Sequence, residues 1–260
     1  MGFLTGKRFL ITGVHDTSSL AYGIAEAMDR EGAELAFSYK RTKNYERVYE
    51  LTKKFNSNFW YKCNVDNDQE IAELFTHLEQ HWDGLDGIVH SIAWAPLEAF
   101  GISYTESTTR EVWSSALETS AYSLTALVRA GLPMMRGRNA SILANTYIGS
   151  QIVVPNYNIM GIAKASLEAN VRYLANDLGP QGIRVNALSE GPHLTSAFGD
   201  AIKPALEHYA KNSPLRRNIT IQEVGNAAAF LCSDLASAIT GQTIVADGGF
   251  SISDRLHTSN

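Results

Sequence analysis

The chain has 260 residues, 45% of them hydrophobic, with 22 basic and 27 acidic side chains for a net charge of −5. That composition excludes disorder and argues against a nucleic-acid partner, and a chain of this length buries about three quarters of its unfolded surface without disulfide or metal staples. Cys63 and Cys232 are too few for a disulfide framework and read as small core hydrophobes in a reducing cytosol. No apolar run approaches the roughly 18 residues of a membrane span, so no membrane insertion is expected. Gly6 stands where a myristoylation motif needs Ser or Thr, and the glycosylation triplets at Asn139 and Asn218 read as chance.

Short apolar runs alternate with amphipathic stretches. In chain order the pattern predicts a strand over 8–12, a helix over 21–31, a strand over 34–39 and a helix over 45–55. Next come a strand over 59–63, a helix over 68–82 with Asp68 as its cap, a strand over 87–90, a largely helical stretch over 109–135 and a strand over 141–144. A long helix over 158–178, a strand over 184–187, a helix over 222–235 and a last strand over 243–246 complete the pattern. Strands alternating with helices predict an α/β fold: one doubly wound Rossmann-type domain over 1–260, its parallel sheet covered by helices on both faces. Residues 189 to about 211 break the rhythm with Gly191, Pro192, Gly199 and Pro204, and read as a flexible substrate flap with a short helix.

The first strand runs into Gly13, and the next helix opens near Ser19, Ala21 and Gly23. The spacing departs from G-x-G-x-x-G, but glycine and small residues before a helix N-terminus suit a pyrophosphate. An ordinary strand–turn–helix remains an alternative reading of this motif. In Tyr157-Asn-Ile-Met-Gly-Ile-Ala-Lys164 the seven-residue step spans close to two helical turns. A helix holding both would bring a phenol and an ammonium to one face, the ammonium lowering the phenol's pKa. A second tyrosine, Tyr147, follows the fifth strand, while His77 and His81 beside Glu73 read as a solvated helix face with no metal. The second strand ends in Lys40, Arg41 and Lys43, with no acidic residue before Glu46. In dinucleotide folds that strand end faces the adenosine ribose, so NADPH is expected to be favoured over NADH, with Lys40 and Arg41 at the 2′-phosphate.

The sequence closely resembles the bacterial enoyl-acyl-carrier-protein reductases, a divergent branch of the short-chain dehydrogenase/reductase superfamily. The resemblance is carried by Ala21-Tyr-Gly-Ile-Ala, Glu31-Gly-Ala-Glu-Leu-Ala-Phe, His90-Ser-Ile-Ala, Pro155-Asn-Tyr-Asn, Ala163-Lys-Ala-Ser-Leu-Glu-Ala-Asn-Val-Arg-Tyr and Ala228-Ala-Phe-Leu-Cys-Ser-Asp-Leu. It implies reduction of trans-2-enoyl thioesters on acyl carrier protein, in fatty acid synthesis, by a cytosolic homotetramer. It also implies catalytic roles for Tyr157, Lys164 and Tyr147, with Lys164 on the nicotinamide ribose. Gly13, Ser19 and Ala21 would line the pyrophosphate, Asn64 and Val65 the adenine, and Ser91, Ile92, Ala93 and Thr195 the rest of the cofactor. Met160 and Pro192 would border the acyl and nicotinamide pocket. Relatives often carry Asp where this chain has Asn64, and differ at Glu190, His193 and Leu194, which leaves open a catalytically altered or nucleotide-sensing paralogue. Reduction of a ketone on the same scaffold is disfavoured, because Gly161 and Ala144 replace the lysine and serine such enzymes use.

Overall fold

A computed structural model of the protein describes residues 2–100, 103–192 and 202–253. The elements are β1 (Arg8–Ile11), α1 (Leu20–Arg30), β2 (Glu34–Tyr39), α2 (Tyr45–Thr52), β3 (Ser57–Lys62), α3 (Asp68–Glu79), β4 (Gly87–His90), α4 (Tyr104–Ser107) and α5 (Arg110–Leu117). They continue with α6 (Ser123–Met135), β5 (Ser141–Tyr147), α7 (Ile159–Leu178), β6 (Arg184–Glu190), α8 (Lys203–Asn212), α9 (Ile221–Cys232) and β7 (Thr243–Ala246). The strands form one parallel sheet in the order β3-β2-β1-β4-β5-β6-β7.

The pleat assigns the two cores. Leu10, Ala36, Ile88, Ile142 and Val185 face a layer built from α3, α6 and α7. Their neighbours in sequence, Phe9, Ile11, Leu35, Phe37, Val89 and Leu143, face α1 and α9. Burial on both faces explains why the central strands read as continuous apolar runs. The strand order reverses at β1 and β4, which opens a crevice at their carboxyl ends.

Three departures from the sequence reading bear on that crevice. β5 and β6 each run three residues beyond the expected ends, because Asn145, Thr146, Ser189 and Glu190 are polar but buried. The long helix expected over 109–135 is divided by a π-helical turn at Glu118–Tyr122. There Thr119 Oγ1 donates to Asp66 Oδ1 (2.6 Å), and Ser120 Oγ both accepts from Trp94 N–H (2.9 Å) and donates to Trp94 O (3.0 Å). Unbroken apolar periodicity hides such a turn. Finally, Asn67 and not Asp68 caps α3, its side chain accepting the Gln69 and Glu70 amides.

Candidate active site

The crevice begins at the turn after β1. Thr12 Oγ1 donates to Val89 O (3.0 Å) and accepts from Ser91 N–H (3.3 Å), tying the ends of β1 and β4 together. Gly13 has φ +88°, and a Cβ there would collide with the Ser91 carbonyl, so this position demands glycine. Beyond it Asp16 organises the loop: its Oδ1 accepts from Ser18 N–H (2.8 Å) and Oγ (2.6 Å), and its carbonyl from Ser19 Oγ (2.7 Å). Ser19 thus spends its hydroxyl on the loop and leaves the first amides of α1, at Leu20 and Ala21, at the crevice. Gly23 has a packing role, since a Cβ on it would stand 2.7 Å from the Ile221 carbonyl of α9.

Tyr157 lies outside α7, in the turn before it, and so departs from the expected shared helix face. It sits between Asn156 (φ +64°) and Asn158 (φ +44°), a residue type that tolerates the left-handed region. The Asn158 amide holds the turn by donating to Ala99 O (3.0 Å). Its own neighbours fix the Tyr157 ring. A Cβ on Gly149 would stand 2.6 Å from Tyr157 Cδ1, and a Cβ on Gly161 would stand 2.7 Å from the Gly149 carbonyl. Gly161, where a ketone reductase would place lysine, is therefore a close-packing position. The Tyr147 ring meets Tyr157 edge to face at 5.1 Å, and its hydroxyl shares a 2.9 Å hydrogen bond with Tyr209 of α8. Tyr209 in turn stacks on Phe250 at 3.6 Å.

Lys164 is buried on α7, and its ammonium donates to the Asn145 carbonyl at the end of β5 (2.7 Å). One turn on, Glu168 is also buried and accepts from Thr146 Oγ1 (2.8 Å) and Ser150 Oγ (2.5 Å). Burial pulls the Lys164 pKa below its ordinary value, while Glu190 and Glu168 oppose the shift. Burial pushes the Glu190 carboxyl up to about 8 against the pull of Lys164. The Tyr157 phenol is raised well above its usual value, first by burial and then by the charges of Glu190 and Tyr147. This reverses the expected lowering by lysine: the ammonium is committed to a backbone carbonyl, and burial dominates at the phenol.

The remaining predicted residues are spread along the same strand ends. Val65 is buried after β3, and the Asn64 carbonyl oxygen accepts from Asp66 N–H (3.4 Å). Ser91 and Ile92 are half-buried and Ala93 exposed after β4, Met160 is buried on α7, and Pro192 is buried after β6. Thr195, His193 and Leu194 lie outside the described residues, as does the middle of the flap expected over 189 to about 211; its first two residues instead end β6, buried, and 203–211 lie in α8. The thiols of Cys63 and Cys232, both buried, are pushed up to about 12 by burial and are poor nucleophiles. His77 and His81 each bring Nδ1 to a carbonyl one turn back and rest on Tyr61 and Phe59. Sequence reasoning missed Gly149, Asn145, Glu168 and Tyr209. The i, i+4 spacing of Lys164 and Glu168 was the one available signal.

Comparison with known proteins places these features in context. A family model described as "Enoyl-(Acyl carrier protein) reductase" matches residues 13–251. The chain is 52% identical to the enoyl-[acyl-carrier-protein] reductase [NADH] FabI of Neisseria meningitidis, with 97% of each chain covered. It is 47% identical to the protein of the same name from Escherichia coli, again over 97% of each. Among solved structures, the enoyl-[acyl-carrier-protein] reductase (NADH) of Aquifex aeolicus superposes with a TM-score of 0.94 at 49% identity, covering 96% of this chain and 98% of that one. The Anaplasma phagocytophilum reductase in complex with NAD gives 0.91 at 38% identity, covering 96% of both chains.

The relatives' names overturn the expectation that NADPH is favoured over NADH. The structure supplies a physical reason. Lys40 is paired with Asp66 at 2.9 Å and lies 5.8 Å from the Trp94 ring centre, while the Arg41 amide donates to Asn44 Oδ1 (3.2 Å). The acidic partner missing from β2 is supplied by the loop after β3, where sequence order conceals it. Fold and relatives agree, and the chain belongs to the enoyl-acyl-carrier-protein reductase family.

Proposed function

We propose that this protein reduces the 2,3-double bond of trans-2-enoyl thioesters carried on acyl carrier protein, with NADH as hydride donor, in the cytosol. The observation that carries the reading is the convergence of Tyr157, Tyr147 and Lys164 at the carboxyl ends of β5 and β6. The residues present fit the cofactor: the Gly13 turn leaves no room for a Cβ, the first amides of α1 follow it without a side-chain cap, and the buried Lys164 ammonium, bonded to the Asn145 carbonyl, keeps donors for ligand hydroxyls. Bound there, the nicotinamide supplies a hydride to the β-carbon of the substrate.

Each protein group then has a defined task. The amides opening α1, behind the Gly13 turn, offer donors and a positive helix end to the pyrophosphate. Ser91, Ile92, Ala93 and Pro192 would flank the cofactor, and Asn64 and Val65 its adenine. Lys164 keeps N–H donors beyond its bond to Asn145 and would hold the nicotinamide ribose hydroxyls. Hydride arrival pushes negative charge onto the thioester oxygen. Tyr157, kept protonated by its surroundings, donates a hydrogen bond to that oxygen, and donors aimed there lower the barrier selectively. Tyr147 and Met160 would border the acyl group. Trp113, Tyr122, Ile162 and Tyr173, exposed along α5 to α7, form an apolar face suited to further copies in a homotetramer.

The test is NADH oxidation by purified protein with a crotonyl thioester, run beside an acetoacetyl thioester. Oxidation with the crotonyl substrate and formation of the butyryl product are expected. Turnover of the acetoacetyl substrate instead would transfer the site to ketone reduction.

A further inference from the structure

The residue that α8 buries lies at the tyrosine corner of the site. Most of that helix is open to solvent, and Tyr209, 7% exposed, is the buried residue among its ten. The Tyr209 ring stacks on Phe250 at 3.6 Å, with 15° between the ring planes. Together with Ile148 the two rings form a small apolar cluster apart from the two cores, and Tyr147, Ile152 and Val154 pack against it. Phe250 is a firm backstop. The Asp247 carboxylate accepts the Gly249 and Ser251 amides on either side of it, and the Leu215 amide after α8 donates to the Gly248 carbonyl (3.2 Å).

A ring stack needs no hydroxyl, and Phe250 fills its half of the pair without one. The Tyr209 hydroxyl adds a directed bond, meeting the Tyr147 hydroxyl at 2.9 Å across 62 residues of chain. Tyr147 is the last residue of β5, half-buried, and turns its ring edge to face with Tyr157 at 5.1 Å. A row of rings therefore runs from Phe250 through Tyr209 and Tyr147 to Tyr157. Tyr157 has its own seat against Gly149, so loss of the bond from α8 acts first on Tyr147.

We propose that Tyr209 is a positioning residue of the reductase site: the hydrogen bond it shares with Tyr147 fixes that ring before substrate arrives, so that α8 sets one wall of the acyl pocket. The proposal rests on the reductase reading above, in which Tyr147 borders the acyl group. A wall already in place spares the thioester the ordering of a side chain. The benefit falls on thioester binding, and leaves cofactor binding and the hydride step as they are.

The experiment is a double-mutant cycle on Tyr147→Phe and Tyr209→Phe, the second of which keeps the stack on Phe250. Steady-state kinetics give kcat and KM for a crotonyl thioester, calorimetry gives its dissociation constant with NAD present and no hydride available, and fluorescence titration gives the NADH affinity. Tyr209→Phe should raise KM and the thioester dissociation constant about threefold to tenfold, the worth of one neutral hydrogen bond, with kcat and NADH affinity unchanged. In the Tyr147→Phe background the same substitution should change nothing, because the bond is already gone. A thioester affinity that stays or improves in Tyr209→Phe, or a loss of equal size in both backgrounds, overturns the proposal. A wild type that binds the crotonyl thioester without reducing it overturns the reductase reading instead, and the calorimetric cycle then still decides whether Tyr209 acts through Tyr147. A wild type that does not bind the thioester overturns both.

Discussion

A phenol that must donate a hydrogen bond works best when it keeps its proton, and Tyr157 is built to keep it. Burial and the nearby Glu190 and Tyr147 raise its pKa, so in the proposed reaction it would meet a developing oxyanion as a neutral donor. Tyr157→Phe should therefore lower kcat by about 10²–10³ with NADH affinity unchanged, because the lost bond exists in the transition state. Lys164→Ala should weaken NADH binding as well, since the ribose contacts proposed for it would precede the chemistry. Fluorescence titration with NADH separates the two variants, and equal affinity in both would remove Lys164 from the ribose. Asp66 neutralises Lys40 at 2.9 Å, so Asp66→Asn should release the ammonium toward a 2′-phosphate. The ratio of kcat/KM for NADPH over NADH should then rise by a few-fold to about tenfold, the lower end following from solvent exposure. An unchanged ratio would show that Lys40 does not face the ribose.

Elements place these residues by close approach, and the approach depends on side chains that are missing. Gly149 leaves space for the Tyr157 ring, with a Cβ only able to sit 2.6 Å from it. Gly149→Ala should displace the ring by several tenths of an ångström and lower kcat by roughly 10- to 100-fold with NADH affinity intact. Steady-state kinetics beside NADH titration would check it, and full activity would show the ring to be free to adjust. α9 opens with a capping box: Thr220 Oγ1 accepts the Glu223 amide (3.2 Å), and Glu223 Oε2 accepts the Thr220 amide (2.9 Å). Thr220→Ala should cost about 1 kcal/mol in urea unfolding. That helix buttresses α1 through Gly225, whose Cβ would strike the Gly23 carbonyl, so its start supports the phosphate turn. β2, β4 and β7 were legible in the chain to the residue. The ends of β5 and β6 were not, because buried polar residues there look like loop.

At the scale of the whole molecule, alternation alone carried the architecture: apolar runs with no polar face require a sheet covered on both sides, and strand–helix alternation makes it parallel. What alternation could not supply was contact across the sheet. The Asp66 partner of Lys40, the Tyr209 partner of Tyr147 and the π-helical turn at Glu118–Tyr122 all join segments distant in sequence. His90 shows how such contacts set the stability of the entire fold. It is fully buried at the end of β4. Its Nε2 lies 2.8 Å from Ser123 Oγ, and that hydroxyl already donates to the Thr119 carbonyl (2.6 Å). The imidazole must therefore carry its proton on Nε2 and donate, which leaves Nδ1 bare, buried and unpartnered in the protein. Adding a proton there would place a second cation in the same buried region as Lys164, and the folded-state pKa is accordingly pulled from 6.5 down to about 3. Between those values the unfolded chain binds a proton that the folded chain refuses, so the stability contributed by the neutral imidazole is full above the unfolded value and declines as the pH falls through the window. The limiting slope from this one group is about 1.4 kcal/mol per pH unit. Urea unfolding of wild type and His90→Gln from about pH 7 to pH 4 should show wild type losing stability more steeply, with the difference confined to pH below about 6.5. Parallel curves would mean that His90 accepts its proton in the folded state as readily as in the unfolded chain.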